Sequence, residues 1–197
     1  MSIYAVKPAF QGMLRPGVGR LAAWGVTANA VTLAAAALSL AEGAAIAATG
    51  GARWSLLALP AVLLLRMGLN AADGMLAREH GQSSRLGACL NEVCDVVSDA
   101  ALYLPLALVF APGWPVVLAV AAGLIAEVAG LSAALAGGRR RYDGPVGKPD
   151  RALAFGAAAI AAAFVPLPPA LVIAASTAIA AGGLLAAVRR IREDSHA

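Results

Sequence analysis

Five of the eleven acidic residues in the 197-residue sequence, Asp73, Glu79, Glu92, Asp95 and Asp99, fall between positions 70 and 99, with Asn70 and Asn91 among them. At 100° per residue, Arg66, Asn70, Asp73, Gly74, Ala77 and Arg78 occupy an arc of roughly 140° on one helix. Asn91, Glu92, Asp95 and Asp99 occupy an arc of roughly 100° on a second. The short linker Gly81-Gln82-Ser83-Ser84 joins the two helices, so their polar faces can meet. Oxygen donors facing each other, with no His and no paired Cys among them, suit a hard cation such as Mg²⁺, Mn²⁺ or Ca²⁺ and disfavour zinc or redox chemistry. Gly74 and Ala77 share the Asp73 face, and residues this small either let helices pack closely or leave room for a flat ligand.

The elements that must hold these residues are apolar. Sixty per cent of the chain is apolar and 13% charged, whereas a soluble domain carries about a quarter charged residues. Lipid is therefore the solvent, and a soluble globule, a disordered tail and a disulfide scaffold are excluded. A transmembrane helix needs about 20 mostly apolar residues. Six stretches qualify, at 28–49, 54–78, 86–110, 114–136, 150–165 and 169–190, the fifth being the shortest. Breakers separate them, including Gly50-Gly51, Pro112-Gly113, Gly137-Gly138 and the prolines from Pro166 to Pro169. The expected fold is all-α: a polytopic membrane protein with six transmembrane helices over residues 27–192, an N-terminal interfacial segment over 1–26, and a cytoplasmic tail over 193–197. The interfacial reading rests on Phe10, Met13 and Leu14 interleaved with Lys7 and Arg15. An ionised carboxylate at membrane depth costs at least ~2.5 kcal/mol, so the acidic cluster requires cations or a wet cavity.

The charge balance, 15 Lys and Arg against 11 Asp and Glu, gives a net charge of +4. Thirteen of the 15 bases lie on one side of a six-pass threading, with Arg53 opposite and Arg66 inside the second helix. Lys and Arg resist translocation, so both termini are expected in the cytoplasm, as in a bacterial-type inner membrane. The bases lie between apolar stretches and form no stripe with aromatics, which argues against nucleic acid as a partner. Cys89 and Cys94 stand off a common helix face and read as small core residues, neither bridged nor metal-binding. Lys7 and Pro8 interrupt the N-terminal stretch, so no removable signal peptide is expected. His80 and His196 read as loop and tail residues. Glu42, Arg66 and Glu127 lie inside helices, where unpaired charge is expensive. One reading pairs Arg66 with Glu127 or Glu42; the other has Arg66, one turn below Asn70, adjusting the field of the acidic site.

The run Asn70-Ala-Ala-Asp73-Gly74-Met-Leu-Ala77-Arg78, eight residues, Gly87-Ala-Cys-Leu-Asn91-Glu-Val-Cys-Asp95 resembles the signature of the CDP-alcohol phosphotransferase (CDP-alcohol phosphatidyltransferase) family, DxxDGxxAR, eight residues, GxxxDxxxD. The spacing agrees over 26 positions, and six of the eight fixed residues match: Asp73, Gly74, Ala77, Arg78, Gly87 and Asp95. The resemblance extends more weakly to Thr27-Ala28-Asn29 and to the six-helix length of the chain. It implies attack of an alcohol on the lipid-side phosphorus of a CDP-alcohol such as CDP-diacylglycerol, with release of CMP, in phospholipid biosynthesis. By the same resemblance, Asn70, Asp73, Asn91 and Asp95 would hold Mg²⁺ or Mn²⁺, or Ca²⁺ in the bound state, and Asp95 would also deprotonate the acceptor. Gly74, Ala77 and Arg78 would meet the cytidine nucleotide, with Gly87 allowing close backbone approach. A homodimer is a further implication. The family's first and third aspartates are Asn70 and Asn91 here, which removes charge from the metal site. An amide oxygen ligates a hard cation but adds no charge, which leaves three readings open: one metal held tightly and a second only with substrate, Glu92 or Asp99 as substitute ligands, or a site without catalysis.

A second basic cluster runs from Arg139 to Arg151. Its ending, Gly144-Pro-Val-Gly147-Lys148-Pro-Asp150-Arg151, resembles the family segment that opens the fifth helix, where bases hold an acceptor's phosphate. Lys148 and Arg151 are accordingly the acceptor candidates, for an alcohol that is phosphorylated. A solvated loop that only fixes topology is the alternative. The segment lacks the GxxxxGK[ST] pattern of nucleoside triphosphate hydrolysis. Two rival functions stand beside the transferase: a catalytically silent relative that binds CDP-lipid or a partner enzyme, and a small transporter with intramembrane carboxylates. For the transporter, no inverted repeat or broken helix pair is visible.

Overall fold

A computed structural model describes residues 7–136 and 140–192, all of whose regular structure is helical. Along the chain these are α1 (Lys7–Ala23), α2 (Ala28–Thr49), α3 (Arg53–Glu79), α4 (Arg85–Tyr103), α5 (Leu106–Val109), α6 (Trp114–Leu135), α7 (Lys148–Ala162) and α8 (Pro169–Arg192). The expected tail over 193–197, with His196, and the base at Arg139 lie outside the described residues.

Among the described residues, α2, α3, α6 and α8 are long and apolar enough to cross a membrane. All six expected stretches are helical, but the third and fifth differ from the expectation of a full span. The stretch at 86–110 breaks after Tyr103, where Pro105 has no N–H to continue the helical ladder, and resumes only as the one-turn α5. Helix α4 also carries Arg85, Glu92, Asp95 and Asp99, too much charge for an unaided span. Helix α7 has 15 residues, about 22 Å of rise against a hydrocarbon core of about 30 Å. The outward sides of the helices carry exposed Leu33, Leu64, Leu65, Leu118 and Leu184, as expected of surfaces solvated by lipid.

Helix ends follow local chemistry. Gly25, at φ 75°, closes α1: its N–H reaches the Ala22 carbonyl and the Val26 N–H reaches Leu21, the paired bonds of a left-handed glycine cap. Thr27 starts α2 by accepting the Ala30 N–H at 3.2 Å, and Ser84 starts α4 by accepting the Gly87 N–H at 2.9 Å. At the start of α7, Asp150 accepts the Gly147 N–H at 2.8 Å.

The chain divides into two compact units, with the boundaries falling inside α2, α3 and α4. The first holds the described residues up to Leu40 together with Val62–Ser98. Its core is Val18, Ala28, Val31, Ala72, Met75 and Leu76, so that α1, α2 and α3 share one apolar seam. An exposed ion pair between Arg15 and Glu79, at 2.9 Å, joins α1 to the end of α3. The second unit holds Ala41–Ala61 and the described residues from Asp99 onward. Its core is made of alanines, Ala126 and Ala129 of α6 against Ala186 and Ala187 of α8, small side chains that bring two backbones close together. In the same unit the rings of Tyr103 and Phe155 stack at 4.6 Å. Cys89 and Cys94 are unbridged, and Cys89 is exposed, contrary to the expectation of a core position, because it falls on an outer face of α4.

Candidate functional site

In the first unit, α3 and α4 bring six of the eight signature positions around one cavity of about 230 Å³, smaller than a typical small-molecule site, while Asn70 and Asp95 stand outside its lining. Asp73, Gly74, Ala77, Arg78, Gly87 and Asn91 all line it. Asp73 is buried, and its Oδ2 lies 2.7 Å from the Thr32 hydroxyl of α2. That hydroxyl is also 3.1 Å from the Ala28 carbonyl. It has one proton to give, and the carboxylate is the stronger acceptor.

The Arg78 guanidinium folds back over Gly74, where a Cβ would stand 3.0 Å from both terminal nitrogens. Glycine at this position is what lets the cation lie against the helix beside the Asp73 turn. At Gly87 a Cβ would meet Asn29 Oδ1 at 2.7 Å and Ser84 Oγ at 2.9 Å. The close approach expected at Gly87 is therefore already taken up by a side chain of α2. Gln82 clips the linker to the start of α2: its Oε1 accepts the Ala28 N–H at 2.6 Å and its Nε2 donates to the Val26 carbonyl at 3.3 Å.

Asn70 and Asp95 face each other directly. Asn70 Nδ2 donates to Asp95 Oδ1 at 2.9 Å, and Arg66 donates to the same oxygen at 3.1 Å and to the Asp95 carbonyl at 3.2 Å. Of the two expectations for Arg66, this contact supports the one in which it adjusts the field of the acidic site. Arg66 and Asn70 sit one turn apart on the α3 face turned toward α4, so the guanidinium reaches the nearer carboxylate. Glu92 is half-buried on α4. Asp99, expected as a substitute ligand on the same stripe, is instead taken by Arg151 at 3.0 Å in the second unit. One further turn along α4 carries it to that partner.

Two carboxylates and two amides give an all-oxygen donor set, which fits one hard cation. The two carboxylates carry the charge of one dication. Asp73, Asp95 and the carbonyl oxygens of Asn70 and Asn91 are the groups that would hold it.

In the second unit, Glu127 of α6 is 3% exposed and gathers four cations. Arg140 approaches it at 3.2 Å, Arg151 at 3.4 Å, Lys148 at 3.5 Å and Arg190 at 3.7 Å. With Asp99, two carboxylates face four bases. Arg151 lies across Gly123, where a Cβ would stand 2.8 Å from its Nε. Arg190 is buried and holds the carbonyls of Asp143, Tyr142 and Ala126, which fastens the 140–147 loop to α6 and α8. A merely solvated loop is therefore excluded for these bases. Lys148 and Arg140, with side chains 27% and 16% exposed, form the open side of the cluster, while Arg151 is closed within it.

Beyond the cluster, the Arg141 guanidinium hydrogen-bonds Asp143 at 2.9 Å and holds its carboxyl below the usual carboxylate range. A carboxyl depressed in the folded state stabilises fully above its unfolded value, near 4, and loses that contribution as pH falls through the folded value. Hydrogen exchange of residues 140–147 is expected to stay constant from pH 7 to 5, after correction for intrinsic rates, and to rise only below about 4. A rise already between pH 7 and 5 would disprove it.

Residues whose contacts sequence reasoning missed are Thr32, Gln82 and Arg190, while Asn29 and Arg140 lie in runs it singled out without giving either a role of its own. The Thr27-Ala28-Asn29 run offered a signal for Asn29, and none marked Thr32 apart from any other helical threonine.

The profile of the family described as CDP-alcohol phosphatidyltransferase matches residues 25–188. The chain is 49% identical over 169 residues to Inner membrane protein YnbA of Escherichia coli K12, covering 84% of this chain and 83% of that one. It is 30% identical over 166 residues to a phosphatidylinositol phosphate synthase of Mycobacteroides abscessus, covering 81% and 74%. Among solved structures, it resembles Mycobacterium tuberculosis phosphatidylinositol phosphate synthase PgsA1 in complex with manganese and citrate, with TM-score 0.75, 25% identity and coverage of 91% and 88%. The same enzyme with CDP-DAG bound matches with TM-score 0.75, 24% identity and coverage of 91% and 92%.

Proposed function

Because the chain belongs to the CDP-alcohol phosphatidyltransferase family, membrane enzymes that transfer phosphatidyl groups, we propose that it moves a phosphatidyl or similar substituted phosphate group from a CDP-alcohol such as CDP-diacylglycerol to a hydroxyl acceptor, releasing CMP. The observation that carries this reading is the cavity at α3 and α4, where Asp73, Gly74, Ala77, Arg78, Gly87 and Asn91 share one lining. The CDP-DAG and manganese complexes of the mycobacterial relative support the donor class and the use of Mg²⁺ or Mn²⁺. The domain spans 27–192 with six helices in the membrane, of which α2, α3, α6 and α8 are long and apolar enough to cross it unaided, both termini are cytoplasmic, and α1 lies in the headgroup layer. The family resemblance supports a homodimer as the active form.

In this reading Arg78, lying over Gly74, meets the nucleotide's phosphates, and Asp73, held by Thr32, is a metal ligand. A bound divalent cation would screen the diphosphate and stabilise the leaving phosphate. Asp95, oriented by Asn70 and Arg66, accepts the proton of the acceptor hydroxyl as the new oxygen–phosphorus bond forms and the bond to CMP breaks. The acceptor is a phosphorylated alcohol, a reading supported by the four bases that converge at Glu127, with Lys148 and Arg140 at the open side.

The test is CMP release from CDP-diacylglycerol with Mg²⁺ or Mn²⁺ and matched acceptors that do and do not carry a phosphate. Lys148→Ala is expected to raise the KM for the phosphorylated acceptor about 10-fold, the loss of one charge-assisted contact, with the KM for the donor unchanged. Equal KM values for both acceptor types, or an effect of Lys148→Ala on the donor alone, would refute the acceptor assignment. The second reading, a silent relative that binds CDP-lipid, is favoured by the guanidinium seated on Asp95 and predicts nucleotide binding without CMP under any condition.

A further inference from the structure

Asp95 Oδ1 accepts two hydrogen bonds from α3, from Asn70 at 2.9 Å and from Arg66 at 3.1 Å. The Arg66 and Asp95 side chains are only 9% and 14% exposed, so the pair is poorly screened. A carboxylate only accepts, so the amide presents its N–H, and the two side chains hold one another with nothing between them. Two carboxylates at that separation would repel and would need a cation or a shared proton to stay together. The guanidinium adds a fixed positive charge at the same oxygen. What two opposed carboxylates would draw from solution is here part of the chain.

We propose that this site takes one divalent cation and that Arg66, as a positioning residue, occupies by its charge the role of a second. The inference rests on the proposed function, since it concerns the same metal-assisted site. Two dications would exceed the charge of Asp73 and Asp95, already partly met by Arg66, by three; one exceeds it by one, which a donor diphosphate offsets. The single ion belongs to Asp73 and Asn91, which line the cavity, together with Asp95 and the carbonyl oxygen of Asn70. Asn70 is then the residue that makes Arg66 tolerable: with an amide at 70, Asp95 is satisfied before any ion arrives.

The experiment counts Mn²⁺ bound to the full-length protein in detergent micelles, by electron paramagnetic resonance of the free ion, with CMP release followed in parallel. The parent and Arg66→Lys are expected to bind one Mn²⁺ per chain. The triple variant Arg66→Gln, Asn70→Asp, Asn91→Asp is expected to bind two with affinities within about tenfold of each other. Asn91→Asp alone, which leaves the Arg66 contact intact, is expected to stay at one and bind it more tightly. Two ions in the parent, in Arg66→Lys or in Asn91→Asp would overturn the inference while leaving the proposed function standing. A folded triple variant that still binds one would overturn the role of Arg66. No bound Mn²⁺ and no CMP in the parent would overturn the proposed function, and the inference with it.

Discussion

Asp95→Asn is expected to lower the rate of CMP release by about 10³-fold, within the range of a lost general base. The substitution is chosen because it preserves shape. An asparagine oxygen at 95 can still accept from Asn70 and Arg66, which donate at 2.9 and 3.1 Å to the native carboxylate, so the α3–α4 contact survives. What disappears is the ability to take the acceptor's proton and one negative charge at the cation. The loss should therefore fall on kcat, with donor KM changed far less. The comparison variant is Asp73→Asn, which keeps the Thr32 bond and is expected to act through the concentration of Mg²⁺ or Mn²⁺ needed for half-maximal rate. A kcat for Asp95→Asn within about tenfold of the parent would remove Asp95 as the proton acceptor.

The second large effect is structural. Glu127→Ala should destabilise the protein by about 3–5 kcal/mol, the range for breaking a buried ion pair from one side. Four cations converge on this carboxylate within 3.2 to 3.7 Å, and Asp99 also bonds Arg151. Without Glu127, Arg151 and Arg190 stay buried with excess positive charge and few places to put it. Glu127→Gln keeps the shape and part of the hydrogen bonding, and should fall between parent and alanine variant. Thermal unfolding in micelles, followed by circular dichroism, checks the order. A Glu127→Ala protein melting within a degree or two of the parent would mean that water already enters the cluster and screens it.

The helices were legible because apolar length, glycine pairs and proline runs leave coarse marks: the expected starts at 28, 114 and 169 coincide with those of α2, α6 and α8. The break at Pro105 was less legible, since a proline near the end of an apolar run looks the same whether the chain bends or stops. The cavity residues were readable because their order along two neighbouring helices fixes which face they share. Partners across helices were not. Arg66 has a long side chain, and whether it meets Glu42, Glu127 or Asp95 depends on how helices cross, which periodicity along one helix does not encode. For the same reason the one-sided pattern of the bases does not show that Arg190 is buried on backbone carbonyls. Thr32 is the plainest omission, because one threonine in an alanine-rich helix gives no hint that it faces a carboxylate.

The linker between Arg78 and Gly87 does more than reverse the chain. Gln82 grips both Val26 and Ala28, and Ser84 two residues later fixes the first turn of α4. The segment thus behaves as a gauge block: it sets the rotational phase of α4 as well as its distance from α3. One residue inserted between Ser84 and Asn91 would swing Asn91 and Asp95 about 100° around the axis, away from Asn70 and Asp73, with every side chain still present and the meeting point gone.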